Sequence, residues 1–183
     1  MEIHRKIVAD ASRRVRAQGL TGAAVADVMR DAGLTHGGFY KHFQNKDELL
    51  VESLGEAFRD MADSLARAAE RSQPGTAWKA IVKSYLSPKH CDHAGSGCPL
   101  AALAPELARA GPEMKPRILE ELRNYKNRML PFMPGRRAAD KERNFLVIMA
   151  TMVGTVAIAR LLPDPPARAS VLARARDFLL RSF

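Results

Sequence analysis

The residues whose types and spacing most clearly suggest a binding chemistry lie between positions 35 and 43, which read Thr-His-Gly-Gly-Phe-Tyr-Lys-His-Phe. In a helix, Phe39 and Phe43 are four positions apart and share one face, so we expect both rings to point into a core. Gly37 and Gly38 fall on the opposite face, although each glycine costs a helix about 0.5–1 kcal/mol relative to alanine. Such a pair is expected where another molecule must approach the backbone closely, and the major groove of DNA accommodates a helix in this way.

The side chains around this short helix are suited to contact DNA. Thr35 stands at the N-cap position, where its hydroxyl can accept a hydrogen bond from the first N–H groups. We predict that the glycines and Lys41 lie against base edges, and that Tyr40, His42 and Lys46 hold phosphates. The complete predicted set is Thr35, His36, Gly37, Gly38, Tyr40, Lys41, His42 and Lys46.

The preceding residues supply the first half of a helix-turn-helix motif. Apolar side chains follow the i, i+3, i+4, i+7 spacing of an amphipathic helix at Val25, Val28, Met29 and Ala32. Gly33 ends that helix in a three-residue turn, and two helices joined in this way form the motif that places its second helix in the major groove. The same spacing also fits an ordinary helical hairpin whose outward polar side chains are merely solvated.

Residues from about 3 to 50 resemble the DNA-binding domain of the TetR family of transcriptional regulators. The resemblance rests on three stretches: Ala32-Gly33-Leu34-Thr35, Gly38-Phe39-Tyr40-Lys41-His42-Phe43 and Lys46-Asp47-Glu48-Leu49-Leu50. It covers only about the first quarter of the chain. The sequence departs from the family pattern at residues 20–25, where Gly22 and two alanines leave few side chains that can hold phosphates.

The resemblance implies an all-α protein with two domains. A three-helix helix-turn-helix domain would occupy residues 1–48, and a helical domain for ligand binding and dimerisation would occupy residues 49–183. The family further implies a homodimeric repressor that binds double-stranded DNA at a pseudo-palindromic operator and is released by a small molecule. A helical interaction module without DNA affinity is the alternative from another functional class.

Apolar periodicity and Gly/Pro breaks predict about nine helices along the chain. Their approximate ranges are 3–17, 25–32, 35–43, 45–69, 76–86, 99–110, 113–130, 138–162 and the residues after Pro166. Asn45 is predicted to cap the fourth helix. Residues 87–97 include Pro88, Gly95 and Gly97 and are predicted to form either a loop or a helix end that is too rich in glycine to assign. We expect this segment to be the most mobile part of the second domain.

The eighth predicted helix contains an uncharged run from Phe145 to Ala159. A membrane span needs roughly 20 apolar residues, so a buried helix explains this run better. Ala150, Gly154 and Ala157 are spaced i, i+4, i+7 and form a flat strip that permits close helix approach. The strip can pack inside one protomer or, together with the ninth helix, in a two-fold four-helix interface, and we favour the dimer.

A second polar cluster, His90-Cys91-Asp92-His93 followed by Cys98, begins in the predicted loop. Zinc sites prefer ordered pairs such as C-x2-C or H-x3-H, which this cluster lacks, so no metal site is predicted. Cys98 has two interpretations. It packs at the start of a helix, or the helix dipole stabilises its thiolate and it senses oxidants or electrophiles, with Cys91 forming a disulfide from a sulfenic acid.

The sequence contains no catalytic or cofactor motif, so the chain is predicted not to be an enzyme and to need no cofactor. Methionines and aromatic residues after position 75 instead suggest an apolar cavity for an unknown small-molecule effector. The predicted lining is Trp78, Tyr85, Tyr125, Met129, Phe132 and Met133, although some of these side chains can equally be ordinary core.

The composition fits a helical protein with an anionic partner. The 183 residues are 46% hydrophobic and 27% charged, with a net charge of +9 that suits nucleic-acid binding. The charge is not concentrated near the helix-turn-helix, because residues 1–50 hold 8 basic and 6 acidic side chains against 21 and 14 in residues 51–183. No apolar signal region follows the N-terminus, and two cysteines do not make a disulfide scaffold, so a cytoplasmic location is predicted.

Overall fold

The computed structural model describes residues 2–73 and 75–183, except for the side chain of His36. The fold is all-α, as predicted, with nine α-helices and no strand in the described part of the chain. The helices are α1 Glu2–Gln18, α2 Val25–Asp31, α3 Lys46–Glu70, α4 Ala77–Tyr85, α5 Pro88–Asp92, α6 Pro99–Ala108, α7 Met114–Met129, α8 Ala138–Ala159 and α9 Pro165–Ser182. Short 3-10 helices occupy Leu20–Gly22, His36–Lys41, Ala94–Ser96 and Leu130–Phe132.

The chain forms two compact units, each assembled from two stretches of sequence. The first contains Met1–Asp60 and Ala94–Leu122, and the second contains Met61–His93 and Arg123–Phe183. Helices α3 and α7 therefore contribute residues to both units, whereas α6 belongs to the same unit as α1 and α2. The boundary predicted between residues 48 and 49 lies inside α3 and stays a prediction about where the DNA-binding domain ends.

The first unit is built around one apolar cluster, to which α1, α2, α3, α6 and α7 all contribute. All four residues of the apolar stripe predicted for α1 are buried in this core: Ile7, Val8, Ala11 and Val15. Helix α6 is also tied to the connection between α1 and α2, because the Glu106 carboxylate accepts a hydrogen bond from the Leu20 N–H at 2.8 Å. These contacts tie α6 to α1 and to the segment that leads into the helix-turn-helix.

Two predicted elements differ from the structure. The segment predicted as an α-helix over 35–43 forms a 3-10 helix over His36–Lys41, because two adjacent glycines weaken α-helix formation and a six-residue segment is short enough for the tighter winding. The loop predicted over 87–97 contains α5 and the 3-10 helix Ala94–Ser96. Ser87 caps α5 by accepting from the His90 N–H at 3.2 Å, and Pro88 occupies its first turn.

In the second unit, α4, α8 and α9 pack around a core that includes Ile81, Ile148, Met152 and Leu172. Among the described residues, α8 is the one helix that is long and apolar enough to cross a membrane by length and composition, with 39% of its apolar window buried. A core helix of a soluble protein passes the same test, so this feature is weak evidence for a membrane span.

Candidate nucleic-acid interface and ligand region

We call residues 35–43 the reader segment. A tight turn directly precedes this segment: Gly33 adopts a positive φ of 76°, and the Leu34 N–H donates to the Met29 carbonyl at 2.8 Å. Phe39 and Phe43 are both 2% exposed, and their rings stack with centroids 5.4 Å apart. The two rings therefore anchor the reader segment in the core of the first unit, as their spacing predicts.

The opposite side of the reader segment is open. Tyr40 is 69% exposed, and Gly37 and Lys41 are also exposed. A Cβ atom built on Gly37 has no neighbour within 4 Å, and one built on Gly38 meets only ordinary contacts, the nearest at 3.6 Å from Met29. Neither glycine has a positive φ. The fold itself therefore does not require glycine at either position.

The ends of the reader segment carry the remaining predicted DNA contacts. Thr35 is the N-cap residue of the 3-10 helix, but its hydroxyl makes no capping hydrogen bond, so the capping role expected for this side chain is wrong. The side chain of His36 lies outside the described part of the structure. Lys46 is exposed at the start of α3, beside Asn45, whose side chain accepts from the Glu48 N–H at 2.9 Å and so caps that helix as predicted.

The half-buried His42 has neighbours that the sequence did not reveal. The His4 ring stacks on Phe43 with centroids 4.7 Å apart and lies 6.0 Å from the His42 ring. His4 Nε2 is also hydrogen-bonded to Glu52 Oε2 at 2.7 Å. The first turn of α1 thus holds the end of the reader segment against α3. No local sequence pattern could predict this contact, because His4 and Glu52 are 48 positions apart.

A buried arginine, also missed from the sequence, joins three parts of the first unit. The side chain of Arg16 is 2% exposed, and its guanidinium donates to the Ser12 carbonyl and to the Gly97 carbonyl at 3.1 and 3.3 Å. It also pairs with Asp60 of α3 at 3.2 Å. Burial lowers the pKa of Arg16 below its usual range, and the Asp60 carboxylate opposes that shift. Helix α1 is therefore linked through one charge to α3 and to the residue before Cys98.

The polar cluster of residues 90–93 is packed at His90 and Cys91, whereas Asp92 and His93 are exposed. Burial lowers the pKa of His90 to about 4, so its ring is neutral at pH 7, and Nδ1 lies 2.7 Å from the Tyr85 carbonyl oxygen. Arg160 donates to the Cys91 carbonyl at 2.9 Å. Across the described residues, no three His, Cys, Asp or Glu side chains are grouped to hold a metal ion.

The two cysteines belong to different compact units and are both buried, with Cys91 2% and Cys98 1% exposed. Burial raises the pKa of the Cys91 thiol, which opposes thiolate formation. Cys98 is the N-cap residue of α6, as its position predicts. Thiol sensing stays a prediction that the burial of both sulfur atoms disfavours.

The structure divides the six predicted ligand residues into two groups. Trp78, Phe132 and Met133 line a cleft of about 290 Å³ in the second unit. The others pack elsewhere in that unit: Tyr125 donates its hydroxyl to Met149 Sδ at 3.6 Å, and the Tyr85 ring meets the His90 ring edge-on at 4.3 Å. The third of these, Met129, is 1% exposed in the core of the described structure.

The strip predicted for dimerisation is uncovered in the single chain. Ala150 and Ala157 are exposed, and a Cβ built on Gly154 has no neighbour within 4 Å. Large apolar side chains on α8, directly after it and on α9 are also exposed: Leu146, Val147, Ile158, Leu161 and Phe178 are between 46% and 80% exposed. Large exposed apolar surfaces are typical of sites that contact another molecule.

The N-terminal part of the chain matches a known family. Residues 7–52 match the model for bacterial regulatory proteins of the tetR family. The HTH-type transcriptional regulator TtgR of Pseudomonas putida is 38% identical over 69 residues, which cover 38% of this chain and 32% of that protein. The match thus spans about a third of the length of this relative.

Solved structures are similar over nearly the whole chain. A TetR transcriptional regulator from Chloroflexus aurantiacus superposes with a TM-score of 0.74 at 22% identity, covering 98% of this chain and 95% of that one. The regulator FadR from Bacillus subtilis, solved in complex with stearoyl-CoA, gives a TM-score of 0.69 at 17% identity and covers 98% of both chains. At these identities the similarity establishes a shared fold.

Proposed function

We propose that this chain, whose residues 7–52 match the model of the tetR family, is a cytoplasmic homodimeric repressor that binds a pseudo-palindromic operator and is released by a small molecule. The relatives that it matches are transcriptional regulators, and we propose no catalytic activity for it. The match of residues 7–52 to the family model confirms the resemblance that the sequence of the reader segment and its flanking residues indicates. Repression, the operator, the dimer and effector release are the proposed parts.

The open backbone at Gly37 is the observation that most supports DNA binding. The residue is exposed, has ordinary backbone geometry and faces empty space, while Phe39 on the other side is 2% exposed. An external partner that approaches the backbone closely gives a reason for glycine here, and the fold itself gives none. The exposed Tyr40 and Lys41 beside it offer a hydroxyl and an ammonium group to a nucleic acid.

A substitution at Gly37 tests this proposal. Gly37→Val adds a branched side chain to the outer face of the reader segment, and we expect it to abolish binding to DNA from upstream of the protein's own gene in a gel-shift assay. Gly111→Val is the matched control, because Gly111 is also exposed with no neighbour within 4 Å and lies outside the reader segment. Unchanged binding by a folded Gly37→Val protein contradicts the proposed placement.

The uncovered strip on α8 and α9 supports the dimer. Two copies related by a two-fold axis would bury Leu146, Ile158 and Phe178, which water otherwise contacts. Dimerisation places two reader segments on one DNA molecule, and half-sites about 34 Å apart then select for the correct spacing. A single short reader gains specificity in this way.

Release by an effector requires that ligand binding changes the position of the reader segment. Helix α6 contacts the elements that hold this segment. It belongs to the same compact unit as the helix-turn-helix, and Glu106 of α6 accepts a hydrogen bond from the Leu20 N–H in the connection that leads into α2. The Gly97 carbonyl just before α6 accepts from Arg16 of α1. An effector that moves α6 would therefore move α1, and His4 at the start of α1 contacts Phe43 of the reader segment.

A further inference from the structure

The end of the reader segment at Phe43 is held by a residue from outside the segment. The Phe43 ring stacks on Phe39 of the same segment, with centroids 5.4 Å apart, and on the His4 ring of α1, with centroids 4.7 Å apart and planes 27° from parallel. His4 Nε2 lies 2.7 Å from Glu52 Oε2 of α3. Because an ionised carboxylate only accepts hydrogen bonds, Nε2 is the donor. One imidazole ring therefore connects Phe43 to α3.

The backbone of the reader segment gives this end little support of its own. The segment winds as a 3-10 helix of six residues that includes two glycines, and 3-10 winding has poorer hydrogen-bond geometry than an α-helix. The N–H groups of His42 and Phe43 donate to the same acceptor, the Phe39 carbonyl, at 2.9 and 3.0 Å. The position of this end therefore depends on what its side chains contact.

The position of Phe43 matters for DNA recognition because the predicted contacts surround it. His42 directly precedes it, and Lys46 follows three positions later at the start of α3. A long, flexible side chain can follow a phosphate, whereas contact with base edges requires a recognition element held within about 0.5 Å of its productive position. A loosely held Phe43 would therefore impair base readout more than phosphate contact.

The pair of His4 and Glu52 is poorly placed to serve stability alone. The two side chains are 33% and 35% exposed, and ion pairs and hydrogen bonds that water reaches add little to the free energy of unfolding. The pair nevertheless joins the first turn of α1 to α3 at the point where the reader segment ends. Orientation of that end is the contribution that this geometry favours.

We propose that His4 is a positioning residue for operator recognition, which holds Phe43 and so sets the angle at which the exposed face of the reader segment meets base edges. The inference rests on the proposed function, because it assigns a role in the recognition of the operator. His4 acts through Phe43 and Glu52 and makes no DNA contact of its own in this proposal. Its removal should lower the affinity for the operator more than the affinity for unrelated DNA.

The ratio of these two affinities is the quantity to measure. Fluorescence anisotropy compares a labelled duplex from upstream of the protein's own gene with a shuffled duplex of equal length and composition. A change in protein charge alters both affinities alike and cancels in the ratio. His4→Ala should lower the ratio about tenfold, because a dimer presents two reader segments and roughly threefold losses at each multiply.

Conservative variants separate the two contacts of His4. His4→Gln keeps a donor for Glu52 without the ring, and His4→Phe keeps a ring without the donor, so each should lower the ratio only about threefold. Glu52→Gln keeps an acceptor and should retain the wild-type ratio, whereas Glu52→Ala should match His4→Phe. Combining His4→Phe with Glu52→Ala should add no further loss, because both changes remove the same hydrogen bond.

Glu56→Ala is the matched control for Glu52→Ala. Glu56 lies one turn later on α3 and pairs with Arg59 of the same helix at 2.9 Å. The control removes an equal charge from the same helix without touching the reader segment, and its ratio should equal that of the wild type. Thermal unfolding first establishes that every variant is folded at the assay temperature.

Hydrogen exchange tests the positioning without DNA. In His4→Ala, the amides of His42 and Phe43 should exchange about tenfold faster than in the wild type, because the end of the segment opens more often. The Leu34 amide, which donates to the Met29 carbonyl before the segment, should keep its rate. Unchanged exchange at His42 and Phe43 overturns the proposal.

The binding data can also overturn it, independently of exchange. A folded His4→Ala protein that retains the wild-type ratio, or that loses affinity for both duplexes equally, refutes the positioning role of His4 alone. A wild-type protein that does not prefer the upstream duplex refutes the proposed function, whatever the variants do. The two failures are therefore distinguished by the wild-type measurement.

Discussion

Replacing Lys46 by methionine tests the electrostatic part of the proposed DNA contact. Lys46 is exposed at the first position of α3, directly after the reader segment and its short connection. Methionine keeps an unbranched side chain with good helix propensity, so α3 should be retained and only the charge lost. We expect weaker binding to operator and non-operator DNA alike, because a phosphate contact carries no base information.

The magnitude follows from counterion release. Each phosphate neutralised on duplex DNA contributes about 0.9 to the slope of log affinity against log salt, so the two Lys46 residues of a dimer contribute about 1.8. Between about 50 and about 200 mM salt, a fourfold change raised to that power is roughly twelvefold. The wild-type affinity should therefore fall about tenfold more than the affinity of Lys46→Met across this range.

Fluorescence anisotropy with a labelled duplex at four or five salt concentrations measures both slopes. Lys89→Met provides the matched control, since Lys89 is also exposed but lies on α5, so the net charge changes equally at a different place. Its slope should equal that of the wild type. If Lys46→Met keeps the wild-type slope, or if Lys89→Met lowers the slope by the same amount, the assignment of Lys46 to a phosphate is refuted.

Four further outcomes are expected. Tyr40→Ala should lower the affinity for operator and unrelated duplexes by the same factor in gel shifts, and a loss of affinity for the operator alone would show that Tyr40 contacts bases instead. Gly154→Arg places a charge in the uncovered strip and should give a monomer or an aggregate in sedimentation; an intact dimer would place the interface elsewhere. Phe43→Ala should lower the free energy of unfolding by about 3–5 kcal/mol in urea titrations, because the ring is buried. The pKa of about 4 for His90 lies below the unfolded value, so the unfolded chain binds more protons between pH 6.5 and 4 and stability should fall as pH falls, by up to about 3 kcal/mol, in wild type but less in His90→Gln.

Features encoded by short-range spacing were predictable from the sequence. The stripe of α1 and the pair Phe39 and Phe43 follow from helical periodicity, which depends only on neighbours three or four positions away. The cap Asn45 and the break at Gly33 follow from local backbone chemistry. These signals were sufficient to predict the all-α fold and to assign the buried and exposed faces of the reader segment.

Features that depend on distant partners were not predictable. The pairings of Arg16 with Asp60 and of His4 with Glu52 join residues more than 40 positions apart, and no pattern in either neighbourhood specifies the partner. Helix α5 is five residues long, which is too short to show a period, and its hydrogen bonds from Arg160 come from 69 and 70 positions away. The predicted ligand residues are of the same types as core residues, so only the positions of their side chains distinguish a cleft residue from a core residue.

The empty space at Gly37 has a consequence for how such a regulator can diverge. A Cβ added at this position has no neighbour within 4 Å, so the residue can be exchanged without disturbing the core, and its φ is one that other amino acids adopt. Under the proposed placement, selection on this position acts through DNA binding and not through folding. A single codon could therefore change or remove DNA binding in a duplicated copy of the gene, while Phe39 and Phe43 keep the scaffold constant.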